Sequence, residues 1–197
     1  MRLGAAAYFS DSVLALATML ALAFTISLDG CLSWLTAAAA GFGAWTFSEY
    51  WAHRILYHRV AFFARMHETH HVEPEALIGT PPGLLFALVV ILLSAPTYWL
   101  AGSTICAGAT FGTFAGYLLY TAAHHISHFG KPDPGSLFGG LRVWHLRHHH
   151  AGIEGNYGVS VPFWDYVFGT AINRRRELLD QGHGRGSQLR SREKYAR

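Results

Sequence analysis

The sequence predicts an all-α integral membrane protein, with four transmembrane helices in two hairpins beneath a histidine-rich helical cap on the cytosolic side. Three observations carry that expectation. Charged residues make up only 14% of the 197-residue chain, against about 25% in soluble domains. No Asp, Glu, Lys or Arg occurs in the 55 residues between Glu75 and Lys131. Thirteen histidines outnumber the 12 acidic residues, and twelve of them fall in four short clusters.

A membrane-crossing helix needs about 20 mainly apolar residues. The first span is expected at 12–28, between Asp11 and Asp29, and the second at 31–50. The third and fourth, at 84–101 and 104–123, share the long uncharged stretch. The links Asp29-Gly30 and Gly102-Ser103 are short enough to demand tight hairpins. Pro96 falls inside the third span, where neighbouring helices can satisfy the backbone groups that a kink frees. A lone Arg2 and the lack of a small-residue cleavage site make the first span an anchor rather than a signal peptide. All 15 Lys and Arg lie at the N-terminus, within 51–83 or after residue 124, and none lies in the two short links. The positive-inside rule then places both termini and the central segment in the cytoplasm.

Residues 1–173 read as one membrane-embedded domain with a formal charge of 7 − 9 = −2. Residues 174–197 carry 8 − 3 = +5 and read as a basic, flexible cytosolic tail suited to anionic headgroups. The tail lacks the aromatic interleaving of a nucleic-acid-binding segment, so no nucleic-acid partner is expected. Cys31 and Cys106 both sit in apolar stretches and form neither a disulfide framework nor a metal pair.

The histidines carry the chemistry. They form His53-x4-His58, His67-x2-His70-His71, His124-x3-His128 with His125 between, and His145-x2-His148-His149 followed by His150. Only His183 stands apart, in the tail. Residues at i, i+3 and i+4 share a helix face, so each of the last three clusters can project several imidazoles in one direction. The five-residue step from His53 to His58 points to a helix end or a less regular turn. Each cluster follows a span or lies in a cytoplasmic segment, so all can meet at one depth. Ten imidazoles (53, 58, 67, 70, 71, 124, 128, 145, 148 and 149) exceed what one ion takes, which implies two metal ions. Imidazole suits Zn, Cu, Fe and Ni, so ligand type alone does not choose the element. Redox-active metals with open positions would support O2 activation, which side chains cannot perform unaided. His67, Glu68 and His71 also fit the zinc-protease pattern H-E-x-x-H. That reading leaves His70 and three whole clusters unused.

In this order the four boxes resemble the fatty acid hydroxylase (sterol desaturase) superfamily of integral-membrane di-iron enzymes. The resemblance runs from about Glu49 to Thr170. It includes an ending, Asn156-Tyr157-Gly158 through Trp164-Asp165 to Phe168-Gly169-Thr170, similar to that family's own. It implies that the ten histidines hold two iron ions, which zinc can replace on overexpression, with O2 as co-substrate. Asn156 and Asp165 become supporting residues of unassigned role, and Trp164 and Phe168 serve it or simply pack at the interface. Some members carry a haem domain for which this chain has no room, so the resemblance implies an external electron donor of ferredoxin or cytochrome type. Phe129 stands where some members place another histidine, which makes His125 and His150 candidates for an extra role. Carotenoid hydroxylases share the four boxes, but the ending is more similar to the fatty acid and sterol branch.

The expected function is hydroxylation of a lipid C–H bond, on a fatty acyl chain or related lipid, by an enzyme whose residues are metal ligands rather than acid–base catalysts. Carotenoid hydroxylation, or desaturation of a sterol or acyl chain, is the alternative on the same scaffold. A metal-transport protein would need ionisable residues near the midplane of its spans; the first and third spans carry none.

Overall fold

A computed structural model describes residues 1–173 and is helical, with no strand among the described residues. The basic tail expected at 174–197 lies outside them. In chain order the helices are α1 (Ala5–Ala23), α2 (Cys31–Trp51), α3 (Ala61–Val72), α4 (Leu84–Val89), α5 (Ala95–Phe129), α6 (Leu137–His150) and α7 (Phe163–Val167). Two π-helical turns interrupt the order, Ala52–Tyr57 after α2 and Val90–Ser94 between α4 and α5.

α1 begins seven residues earlier than the span expected at 12–28, because Asp11 does not terminate it. The Asp11 carboxylate is buried and accepts a hydrogen bond from the Gly83 amide at 2.7 Å. Gly83 itself has φ +78°, a conformation that L side chains rarely adopt. α1 ends at Ala23, short of the expected Leu28. α2 matches its expected span to within a residue.

The run from Leu84 to Phe129 is one helical stretch that reverses. Gly102 is non-helical, with φ 81° and ψ 177°. Residues 16 apart in a straight helix would lie about 24 Å from each other. Yet the Ser94 and Thr110 hydroxyls are 2.8 Å apart, and Cys106 donates to the Ser94 carbonyl. The π-turn Val90–Ser94 precedes Pro96, whose ring displaces the carbonyl four residues back and which supplies no amide donor. Among the described residues, Ala5–Ala23 and Leu84–Phe129 are long and apolar enough to cross a membrane.

Glycines set the tightest packing. A Cβ on Gly112 would lie 1.8 Å from the Ala38 carbonyl oxygen, one on Gly41 2.1 Å from that of Ala109, and one on Gly108 2.3 Å from that of Trp34. α2 and residues 103–129 of α5 therefore touch backbone to backbone, as small-residue membrane helix pairs do. Positions 34, 38 and 45 of α2 face 108, 112 and 116 of α5, so the two helices run in the same direction. α1 runs oppositely: Phe9 lies against His125 near one end, and Ala15 packs with Phe114 and Tyr117. Gly30 rests on Thr104, which puts both tight turns at the same end of the helices. The opposite end carries α3, α6, α7 and every histidine of the clusters.

Candidate metal centre

α2 passes without a break into the π-turn Ala52–Tyr57. A π-helix closes i→i+5 rather than i→i+4 bonds, which resolves the five-residue step: His53 and His58 share a face, with Nε2 atoms 3.0 and 3.3 Å from that of His148. His124 and His128 come from the last turns of α5, and α3 and α6 supply the two H-x2-HH boxes. The Ser136 hydroxyl caps the start of α6 by accepting from the Gly139 amide.

The ten histidines sort into two groups of five that cut across the boxes. In the first, the Nε2 atoms of His53, His58, His67 and His148 lie within 4.8 Å of one another. His71 joins them, 3.0 Å from His67 and 3.1 Å from His148. In the second, His70, His124, His128 and His145 lie within the same limit. His149 joins at 3.1 Å from His145. Each H-x2-HH box thus divides: His67 and His71 part from His70, while His145 and His149 part from His148. The expectation that these clusters each project several imidazoles in one direction is met by pairs: His67 with His71, His124 with His128 and His145 with His149, while His70 and His148 turn to the other group. At 100° per residue, i and i+4 are 40° apart and i and i+3 are 60° apart on the other side, so two ions flanking the helix separate them. The groups abut where His71 and His149 stack, ring centroids 4.1 Å apart at 16°.

Two nitrogens of the first group have determinate tautomers. His53 Nδ1 lies 2.6 Å from the Tyr157 carbonyl and His148 Nδ1 lies 2.8 Å from that of Gly155. A carbonyl only accepts, so each Nδ1 carries the proton and each Nε2 carries a lone pair. Those lone pairs face each other across 3.0 Å, a repulsive contact that a cation between them converts to an attractive one. Imidazoles about 2.0–2.1 Å from one ion, 90–110° apart, have nitrogens about 2.9–3.4 Å from each other. The distances of 2.9–3.5 Å in the two groups fit that test.

Electrostatics agree. Burial, augmented by neighbouring imidazoles, holds His148 and His70 down to about 3 and His71 to about 4. His53, His67, His145 and His149 are likewise held well below the ordinary imidazole range, burial being the first cause. Ligands must be unprotonated to bind metal, and these imidazoles are neutral at physiological pH. His125 and His150 join neither group: His125 stacks on Phe129 at 4.4 Å, and His150 lines a surface recess with Val143 and Arg147.

A polar clamp surrounds the first group. The loop from Gly155 to Ser160 presents four consecutive amides to two buried carboxylates. Asp165 accepts from the Tyr157 and Gly158 amides, each at 2.8 Å, and from the Thr170 hydroxyl at 2.7 Å. Glu49 accepts from the Val159 and Ser160 amides at 2.6 and 2.9 Å and from the Ser160 hydroxyl. Asn156, at φ 54°, accepts from the Ile172 amide and donates to the Trp144 carbonyl. Trp164 donates to the Thr46 hydroxyl and packs edge-on against Phe47. Sequence reasoning named Asn156 and Asp165 without a role and missed Glu49. Its signal was present: an ionisable residue at the edge of a charge-free span marks a functional position by default.

Comparison with known proteins agrees with this arrangement. The family profile described as "Fatty acid hydroxylase" matches residues 38–170. Fatty acid 2-hydroxylase of Macaca fascicularis is 30% identical over 155 residues, covering 72% of this chain and 41% of that protein. Ceramide very long chain fatty acid hydroxylase SCS7 of Saccharomyces cerevisiae is 33% identical over 151 residues, covering 67% and 37%. The chain therefore spans about two fifths of the length of these curated relatives. A solved structure of full-length scs7p, in which only the hydroxylase domain is visible, superimposes with a TM-score of 0.68 at 24% identity, covering 85% of this chain and 67% of that one. The matched stretch holds all ten histidines of the two groups and both clamping carboxylates, and on that match the chain belongs to the fatty acid hydroxylase family.

Proposed function

We propose that the protein is an O2-dependent, di-iron membrane oxygenase that hydroxylates a fatty acyl chain at C2, the carbon named by its relatives. The observation that carries this reading is the pair of lone pairs on His53 and His148, 3.0 Å apart inside a set of ten neutral imidazoles. The reaction balances as R–H + O2 + 2 e⁻ + 2 H⁺ → R–OH + H2O, with both electrons from an external donor of ferredoxin or cytochrome type. Two bound irons would supply the reductive activation of O2, and zinc could occupy the same nitrogens.

The protein's own part is to hold donors and exclude water. His53, His58, His67, His71 and His148 would bind one ion, and His70, His124, His128, His145 and His149 the other. Tyr57 stacks on His67 at 5.6 Å and Tyr120 on His124 at 5.7 Å, walling the imidazoles with apolar rings. Four helical runs (α1, α2, 84–101 and 103–129) would cross the bilayer, with both termini and the histidine cap cytoplasmic. Residues 1–173 would form the catalytic domain and 174–197 a tail near anionic headgroups. The histidines would then meet acyl chains close to their headgroups, where C2 lies.

The test is to express the chain in a host lacking 2-hydroxylated lipids, supply 18O2, and analyse lipid extracts by mass spectrometry. The expected product is an acyl chain carrying one labelled oxygen at C2. Products lacking two hydrogens instead would assign desaturation, and unchanged lipids alongside folded, metal-loaded protein would refute the oxygenase reading.

A further inference from the structure

The two histidine groups are not equivalent in what holds their outer nitrogens. In the first, His53 and His148 each donate Nδ1–H to a carbonyl of one loop. In the second, no Nδ1 makes a hydrogen bond among the described residues, and those of His145 and His149 are buried without a partner. A hydrogen bond from the outer nitrogen fixes the tautomer and ring orientation and raises the basicity of the ligating nitrogen. The carbonyls that accept these bonds are themselves held. Gly155 and Tyr157 flank Asn156 at φ 54°, and the amides of 157 to 160 are bound by Asp165 and Glu49.

The clamp is anchored from outside the loop on both sides. Glu49 belongs to α2, one turn before His53, so the same helix supplies a ligand and a support for the loop that orients it. Asp165 lies in α7, and its partner Thr170 is also hydrogen-bonded by Tyr50 of α2 at 3.0 Å. Asp165 is 0% exposed and Glu49 6%. Neither carboxylate makes a hydrogen bond to a histidine, so both act through the loop.

From this asymmetry, and resting on the two-metal reading above, we propose that Asp165 and Glu49 are positioning residues that make the two metal sites unequal. The ion held with His53 and His148 is retained at chelator concentrations that strip the ion held with His145 and His149.

The experiment uses the full chain purified in detergent and loaded with zinc. Samples are equilibrated against graded EDTA and zinc per chain is read by mass spectrometry. Wild type should lose its two ions in separate steps, about 10–100-fold apart in chelator, the typical weight of such outer-nitrogen partners. His145→Ala should lack the low-chelator step and His148→Ala the high one. Asp165→Asn sets an amide group against the loop amides, and Glu49→Gln does so more mildly. Each should move the high step down by about 10–100-fold and leave the low step in place, whereas general loosening of the fold would move both. Should Asp165→Asn fail to accumulate as helical protein, Glu49→Gln decides. A single two-ion step in wild type, a low step that belongs to His148, or equal movement of both steps in Glu49→Gln would overturn the proposal. Fewer than two zinc ions at saturation without chelator would instead refute the two-metal reading beneath it.

Discussion

The Nε2 atoms of His53 and His148 lie 3.0 Å apart, although 95 residues separate them in sequence, and each ring gives its N–H proton, on Nδ1, to a backbone carbonyl. Neither ring can donate to the other. Two facing lone pairs repel, and a cation between them would turn the contact attractive, which makes metal content the first quantity to measure.

Protein purified under iron-replete conditions should hold about two metal ions per chain, since the ten imidazoles exceed one ion's needs. His148→Ala and His145→Ala should each fall to about one, and hydroxylation should fall to background in both. His125→Ala and His150→Ala should keep both ions, because neither ring contributes a nitrogen to either group. Elemental analysis of the four variants decides the assignment.

Acidification should destabilise the metal-free protein. In the folded state burial holds His148 and His70 at about 3 and His71 at about 4, below the ordinary value of 6.5. The unfolded chain therefore binds protons that the folded one refuses. Stability is fully present above about pH 6.5 and drains away as pH falls toward 3–4. Thermal unfolding of chelator-treated protein across that window should show a steady fall in Tm. A flat profile would mean that the imidazoles are not buried as neutral rings.

Gly112→Ala should force α2 and α5 apart, because its Cβ would stand 1.8 Å from a backbone oxygen that cannot swing aside. Overpacking of this kind costs about 1–3 kcal/mol, so Tm should fall by roughly 2–12 °C in a chain of this size. Gly43→Ala, on the partner helix α2 with nothing within 4 Å of its Cβ, is the control and should change little. Equal behaviour of the two variants would refute backbone contact at Gly112.

Tags at Arg2 and Arg197 should both report the cytoplasm and a tag at Gly102 the opposite side, since the basic residues avoid the short links. Opposite compartments for the two termini would imply an odd number of crossings. The histidine cap could not then assemble on one face.

The histidine types, their spacing and the missing charges were legible in the sequence because they are local properties. An imidazole has a nitrogen able to ligate a metal wherever it sits, and a 55-residue uncharged stretch is apolar in any fold. The turn at Gly102 was legible for the same reason, as a glycine between two apolar runs. The start of α1 was not. Asp11 looks like a boundary until the Gly83 amide, 72 residues away, is found against its carboxylate.

What the sequence by itself determined is the chemistry: ten imidazoles at ligand spacing, enough for two ions, at the ends of apolar helices. What only the tertiary structure decided is the partition and the support. His67 and His71 serve one group and His70 the other because α3 lies between the two sets of nitrogens, and a one-dimensional spacing of three or four cannot say on which side a partner waits. Glu49 and Asp165 find the amides of 157–160 only when α2 and α7 close on the loop, from as far as 111 residues away. Hydrogen bonds act over about 3 Å, and which groups come that close is a property of packing rather than of composition.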